Sequence, residues 1–95
     1  MKESTNYKYI IETCIDTVYS CHQAIKGSAN RIELCSALGL GGLTPSASMI
    51  AYAQEKLEAS IAVMIRPRSG DFLYDDDEFE LMKRDIEYCK QIGVD

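Results

Sequence analysis

Three short stretches of this chain carry residues that could do chemistry together. Glu12 and Cys14 stand two apart, Glu33 and Cys35 repeat that spacing, and Met64, Arg66 and Arg68 follow it again. In an extended strand, residues two apart share a face. Each set would therefore present its side chains in one direction. Polar groups at the end of buried strands are costly unless they neutralise one another or meet a ligand. Glu12 and Glu33 against Arg66 and Arg68 form a charge-balanced set. It reads either as an internal salt-bridge layer or as a site for a small anion, because a guanidinium fork suits carboxylate and phosphate. Cys14 and Cys35 read as a soft thiolate pair able to hold Cu(I), or as two small buried side chains. Neighbouring parallel strands run about 4.8 Å apart, so a disulfide is a further geometric option.

The elements that must position these groups are written in the pattern around them. Tyr9–Ile15 is rich in β-branched and aromatic residues and reads as a first strand. Asp16 is placed to cap a helix in which Val18, Cys21 and Ile25 recur, and Gly27 stands where it stops. Ile32–Cys35 reads as a second strand. Thr44 then Pro45 reads as a cap followed by a first-turn proline, opening a helix with Met49, Ile50, Ala53 and Leu57 inward. Ile61–Ile65 reads as a third strand. Asp75–Glu78 opens a third helix with Phe79, Met82, Ile86 and Cys89 inward, and Gly93 ends it. Val94 stands where a fourth strand would start. The order βαβαβα implies a parallel sheet of an α/β protein, with chemistry in the loops after the strands. An ending there reads as a truncated repeat with open sheet edges, for which self-association into a homo-oligomer is expected.

Composition limits the classes. The chain has 95 residues, 46% of them hydrophobic, and a formal charge of −5. One small globular domain is the prior. Mild acidity without a basic stripe argues against a nucleic-acid partner. No apolar run approaches the ~18–20 residues of a membrane span, and Met1–Lys8 has no apolar signal core. A cytoplasmic address with reduced thiols is expected, and no membrane partner. Cys21 and Cys89 lie on apolar helical faces and read as core; His22 reads as an exposed, idle side chain. No Cys-x-x-Cys pair exists, which argues against a zinc finger. The six carboxylates of Asp71–Glu80 lack calcium-loop spacing and read as a solvated helix start.

Taken together, Arg31-Ile32-Glu33-Leu34-Cys35, Gly41-Gly42, Thr44-Pro45-Ser46, Met64-Ile65-Arg66-Pro67-Arg68, Gly70-Asp71-Phe72-Leu73-Tyr74 and Asp77-Glu78 resemble the CutC family of copper homeostasis proteins. The resemblance covers residues 9–95 and leaves 1–8 as an N-terminal extension. Ser69 departs from it, since the family usually carries glycine there. The resemblance implies a TIM barrel of roughly 250 residues and eight βα units, of which this chain has the first three. It implies Cu(I) as cofactor or cargo, with Cys14 and Cys35 at the metal positions. Two alternatives stand beside that reading: a barrel enzyme or anion binder using Glu12, Glu33, Arg66 and Arg68, and a fragment without activity of its own.

Overall fold

The computed structural model describes residues 11–94, and the expected βαβαβα order is what they form. The elements are β1 (Glu12–Ile15), α1 (Val18–Lys26), β2 (Arg31–Leu34), α2 (Ala47–Lys56), β3 (Ser60–Val63) and α3 (Asp76–Gln91). A 3₁₀ turn at Leu38–Leu40 interrupts the connection between β2 and α2. The sheet order is β1-β2-β3, and both pairings are parallel. Glu12 pairs with Arg31, Cys14 with Glu33, Ile15 with Leu34, and Leu34 in turn with Val63. Tyr9 and Ile10, expected within the first strand, lie outside the described residues.

This register sorts the side chains by face. Ile15, Ile32, Leu34 and Ile61 join Cys21, Ile50, Ala53, Leu57 and Cys89 in one buried cluster. That face of the sheet is therefore the one the helices cover, and it accounts for the apolar positions seen in the sequence. Burying such side chains contributes about 1.5–3 kcal/mol each, and this is what fixes the register: a one-residue slip would turn every one of them outward. Cys21 and Cys89 are core residues, as expected. His22 is exposed.

The helix starts differ from the sequence reading in two cases. Thr17, not Asp16, caps α1, its hydroxyl accepting from the Ser20 N–H at 3.1 Å. Ser46, not Thr44, caps α2, accepting from the Met49 N–H at 3.1 Å. Asp16 and Thr44 are engaged in longer-range bonds described below. The start of α3 is as expected: Asp75 and Glu78 form a reciprocal capping box.

Two apolar positions of α3 fall outside the core. Phe79 is 53% exposed and Ile86 47% exposed. Helix α3 lies beside β3 at the edge of the three-stranded sheet, and Phe79 meets the loop there, its ring edge to face with Tyr74 at 6.2 Å between centroids. Ile86 instead lines an open groove with Val63, Ile65, Cys89 and Val94. Val94 is in no strand among the described residues; its N–H bonds the Cys89 carbonyl at 2.9 Å and its side chain packs on the core. Among the described residues, no helix is long and apolar enough to cross a membrane.

Candidate metal centre and the loops around it

With the odd positions of β1 and the even positions of β2 committed to the helix side, alternation puts Glu12, Cys14, Glu33 and Cys35 on the other face. Cys14 pairs in register with Glu33 and is exposed. Its thiol is pushed above its ordinary value by shielding from water, then by the charges of Glu33 and Glu12, and by a hydrogen bond with Glu33. Cys35 continues the ladder one step past β2, with its N–H on the Ile15 carbonyl at 3.0 Å. The Cys35 side chain is buried at 1% exposure, and its Sγ donates to the Ile15 carbonyl at 3.7 Å. Burial pushes this thiol up as well, followed by the charges of Asp16, Cys14 and Glu33.

Cys14 and Cys35 thus occupy one face of neighbouring strands, two residues out of step. Strand spacing and rise put their Cα atoms about 8 Å apart, beyond the reach of a disulfide without backbone movement. None of the four cysteines is paired with another.

What covers Cys35 is the loop between β2 and α2. Ser36 and Leu43 exchange backbone hydrogen bonds at 2.8 Å in each direction, closing the loop on itself. The Ser36 hydroxyl adds a bond to the Thr44 carbonyl at 3.0 Å. Asp16 reaches across from β1, its Oδ2 accepting from the Leu38 N–H at 3.2 Å. Gly41 and Gly42 have φ of 90° and 91°, a left-handed conformation that residues with a Cβ adopt at a cost. They also lie close to their neighbours. A Cβ at Gly42 would sit 3.5 Å from Cys35 Sγ and 3.3 Å from the Met64 methyl. One at Gly41 would sit 2.8 Å from Arg66 Nη1.

Arg66 is the tie that holds this loop. Its Nη1 donates to the carbonyls of Leu40 at 3.1 Å and Gly42 at 3.3 Å, and its Nη2 to that of Gly70 at 3.1 Å. The guanidinium lies 5.0 Å from the centre of the Phe72 ring. Its backbone is gripped by Thr44: the Arg66 N–H donates to Thr44 Oγ1 at 2.8 Å, and the Thr44 N–H donates to the Arg66 carbonyl at 3.0 Å. Arg68 organises the next loop. It donates to both Glu78 carboxylate oxygens, to Asp71 Oδ1 at 3.2 Å, and to the carbonyls of Asp71 and Leu73 at 2.9 and 3.0 Å. Tyr74 stacks 5.1 Å from its guanidinium.

The expected neutralising set is therefore not assembled. Among the described residues, Arg68 pairs with Asp71 and Glu78 rather than with Glu12 or Glu33, and Arg66 binds carbonyls. The physical reason is that β3 ends at Val63. The ladder bonds reach one step further, to Met64, but strand alternation does not govern residues 65–68, and each arginine turns to loop oxygens. The anion-binding expectation for Arg66 and Arg68 meets competing acceptors at the same donors. Sequence reasoning missed Thr44, Asp71 and Glu78 as partners of these arginines. The signal present was an acidic residue three and ten positions after Arg68, beside a loop rich in aromatics.

Among the described residues, no group of three or more His, Cys, Asp or Glu is arranged around one metal position. Four-ligand zinc is thus not what this donor set matches. Two sulfurs on one face, ringed by carboxylates, fit in donor chemistry a soft ion of low coordination number such as Cu(I).

Comparison with known proteins bears on the family and the fold. The CutC family model matches residues 9–95. A CutC family protein of Vibrio vulnificus is 52% identical over 86 residues, covering 90% of this chain and 34% of that protein. A copper homeostasis protein cutC homolog of Dictyostelium discoideum is 54% identical over 87 residues, covering 86% of this chain and 31% of that protein. The chain thus spans about a third of the length of these relatives. A crystal structure of CutC from Streptococcus agalactiae superposes with a TM-score of 0.84 at 37% identity, covering 90% of this chain and 42% of that one. The three parallel βα units are those of a TIM-barrel fragment.

Proposed function

The chain belongs to the CutC family, and from that premise we propose that it serves copper homeostasis by binding Cu(I) through Cys14 and Cys35. The observation that carries this reading is the β1–β2 register, which puts both sulfurs on the face opposite the helix-covered core. Glu12, Glu33 and Asp16 surround them with negative charge. The negative charge that keeps protons on the thiols equally favours a cation in their place, and sulfur selects a soft one. The name of the Dictyostelium relative points the same way. Reduced thiols suit a cytoplasmic location, which is part of the proposal.

Proton competition gives the reading a sign. Both thiols titrate above their ordinary value of 9.0. Cu(I) must displace their protons, so affinity should climb with pH throughout the neutral range, with no plateau below that value. The test is anaerobic titration of Cu(I) against a coloured Cu(I) chelator, with folding checked by circular dichroism. Cys14→Ser and Cys35→Ser should each abolish chelator competition. The control Cys21→Ala/Cys89→Ala, altering only core thiols, should retain it. Retention in the first two variants removes the site. Equal loss in all three marks non-specific thiol binding, and no competition by the unaltered chain would favour a fragment without this activity.

A further inference from the structure

Beyond the two cysteines, we propose that the Met64 thioether is a third Cu(I) ligand, completing a three-sulfur site that spans β1, β2 and β3; the proposal rests on the Cu(I) reading above. The register leads directly to it. Leu34 pairs with Val63, so the next step along both strands sets Cys35 beside Met64. The ladder does continue that far, because the Met64 N–H donates to the Leu34 carbonyl at 2.9 Å. Val63 packs toward the helix-side core, so Met64 takes the other face, with Cys35 and Cys14.

Gly42 marks the place where two of these sulfur side chains converge. The position a Cβ would take there is 3.5 Å from Cys35 Sγ and 3.3 Å from the Met64 methyl. Glycine there lets the loop backbone close directly over both side chains, where a Cβ would be crowded against the Met64 methyl.

Chemistry favours a thioether in this position. Soft sulfur ligands, thiolate and thioether alike, select Cu(I). A third carboxylate or thiolate would add charge beside Glu12 and Glu33, whereas a thioether donates without charge. No third His, Cys, Asp or Glu joins the two cysteines among the described residues. Methionine is also unbranched and flexible, which suits a ligand that must adjust to two partners. Met49, by contrast, packs against the helix-side core.

The experiment uses the whole chain with Cu(I) alone as the probe. Met64→Leu conserves volume and removes the sulfur. A direct ligand should cost at least what an outer-shell partner does, so affinity should fall by about tenfold or more. A thioether carries no proton, so the pH dependence of binding should keep its slope in Met64→Leu. Selenomethionine protein loaded with Cu(I) should show a copper neighbour at the selenium absorption edge, absent when Met64 is leucine. If affinity is unchanged in Met64→Leu, or the selenium edge shows no copper while both cysteines remain essential, the site has two sulfurs and this proposal is wrong. If the unaltered chain captures no Cu(I), the proposal and the Cu(I) reading fall together. Should Met64→Leu disturb folding, the selenium-edge signal of the unaltered sequence decides.

Discussion

The loops that follow β2 and β3 are both closed by an arginine, but by different physics. After β2, Arg66 holds the carbonyl oxygens of Leu40 and Gly42 and reaches one, Gly70, in the next loop, while Thr44 grips its backbone. After β3, Arg68 holds the carboxylates of Asp71 and Glu78. The first loop can shape itself only where glycine lets the backbone approach; the second needs charge more than backbone shape. The first also lies over Cys35, whereas the second leaves Phe72 and Leu73 exposed. One arginine therefore governs access to a thiol, and the other the order of a surface loop. Their roles should separate under mutation, salt and acid.

The largest effect is expected at Arg66. Arg66→Met keeps an apolar stem over Phe72 but removes the donors to three carbonyls. Hydrogen bonds to a charged group are worth about 1.5–3 kcal/mol each in favourable cases, and two of these three are exposed, so a loss of about 2 kcal/mol is expected. Urea denaturation measures that loss. Alkylation of Cys35, followed by mass spectrometry, measures the loop directly. Its rate should rise towards that of exposed Cys14. An unchanged Cys35 rate would show that Ser36, Leu43 and Asp16 suffice to seat the loop.

How much of this was legible in sequence follows the range of each interaction. The Glu12/Cys14 and Glu33/Cys35 faces were readable because alternation is local to a strand. The α3 start was readable because Asp75 and Glu78 cap each other within one turn. Thr44 and Ser46 are both capping residue types, and what separates them is Arg66, 22 residues further along. The arginines were misplaced because alternation was extended past Met64. Phe79 and Ile86 were expected inward and are exposed, because which element covers an apolar stripe is decided by distant chain.

A smaller effect should follow from Glu78, and it should be electrostatic. Glu78→Gln keeps the capping-box geometry at N3 while removing the charge that faces Arg68. Thermal unfolding at low ionic strength should show a lower Tm than the unaltered chain. At about 1 M salt, where the screening length is roughly 3 Å, the two curves should approach one another. Arg66→Met should show no such convergence, because its partners are carbonyls. A Glu78→Gln deficit that persists in high salt would make its role one of shape rather than charge.

The smallest effect belongs to Asp71, and acid should reveal it. Its carboxyl titrates below the ordinary 3.8, chiefly because the Leu73 N–H donates to it, and then because of Arg68. A carboxyl lowered by folding stabilises the folded loop above its unfolded value and loses that contribution as pH falls through the folded one. The window therefore lies below about pH 4, and nothing from Asp71 should change between neutrality and that point. Hydrogen exchange at Leu73 and Tyr74, corrected for intrinsic rates, should show increased opening only there. Asp71→Asn can still accept from Leu73 but cannot attract Arg68. It should be slightly looser at neutral pH and show a smaller acid step. The Cys35 alkylation rate should be the same in both proteins, because the loop over that thiol is tied by Arg66. A change there on altering Asp71 would mean that the two loops move as one.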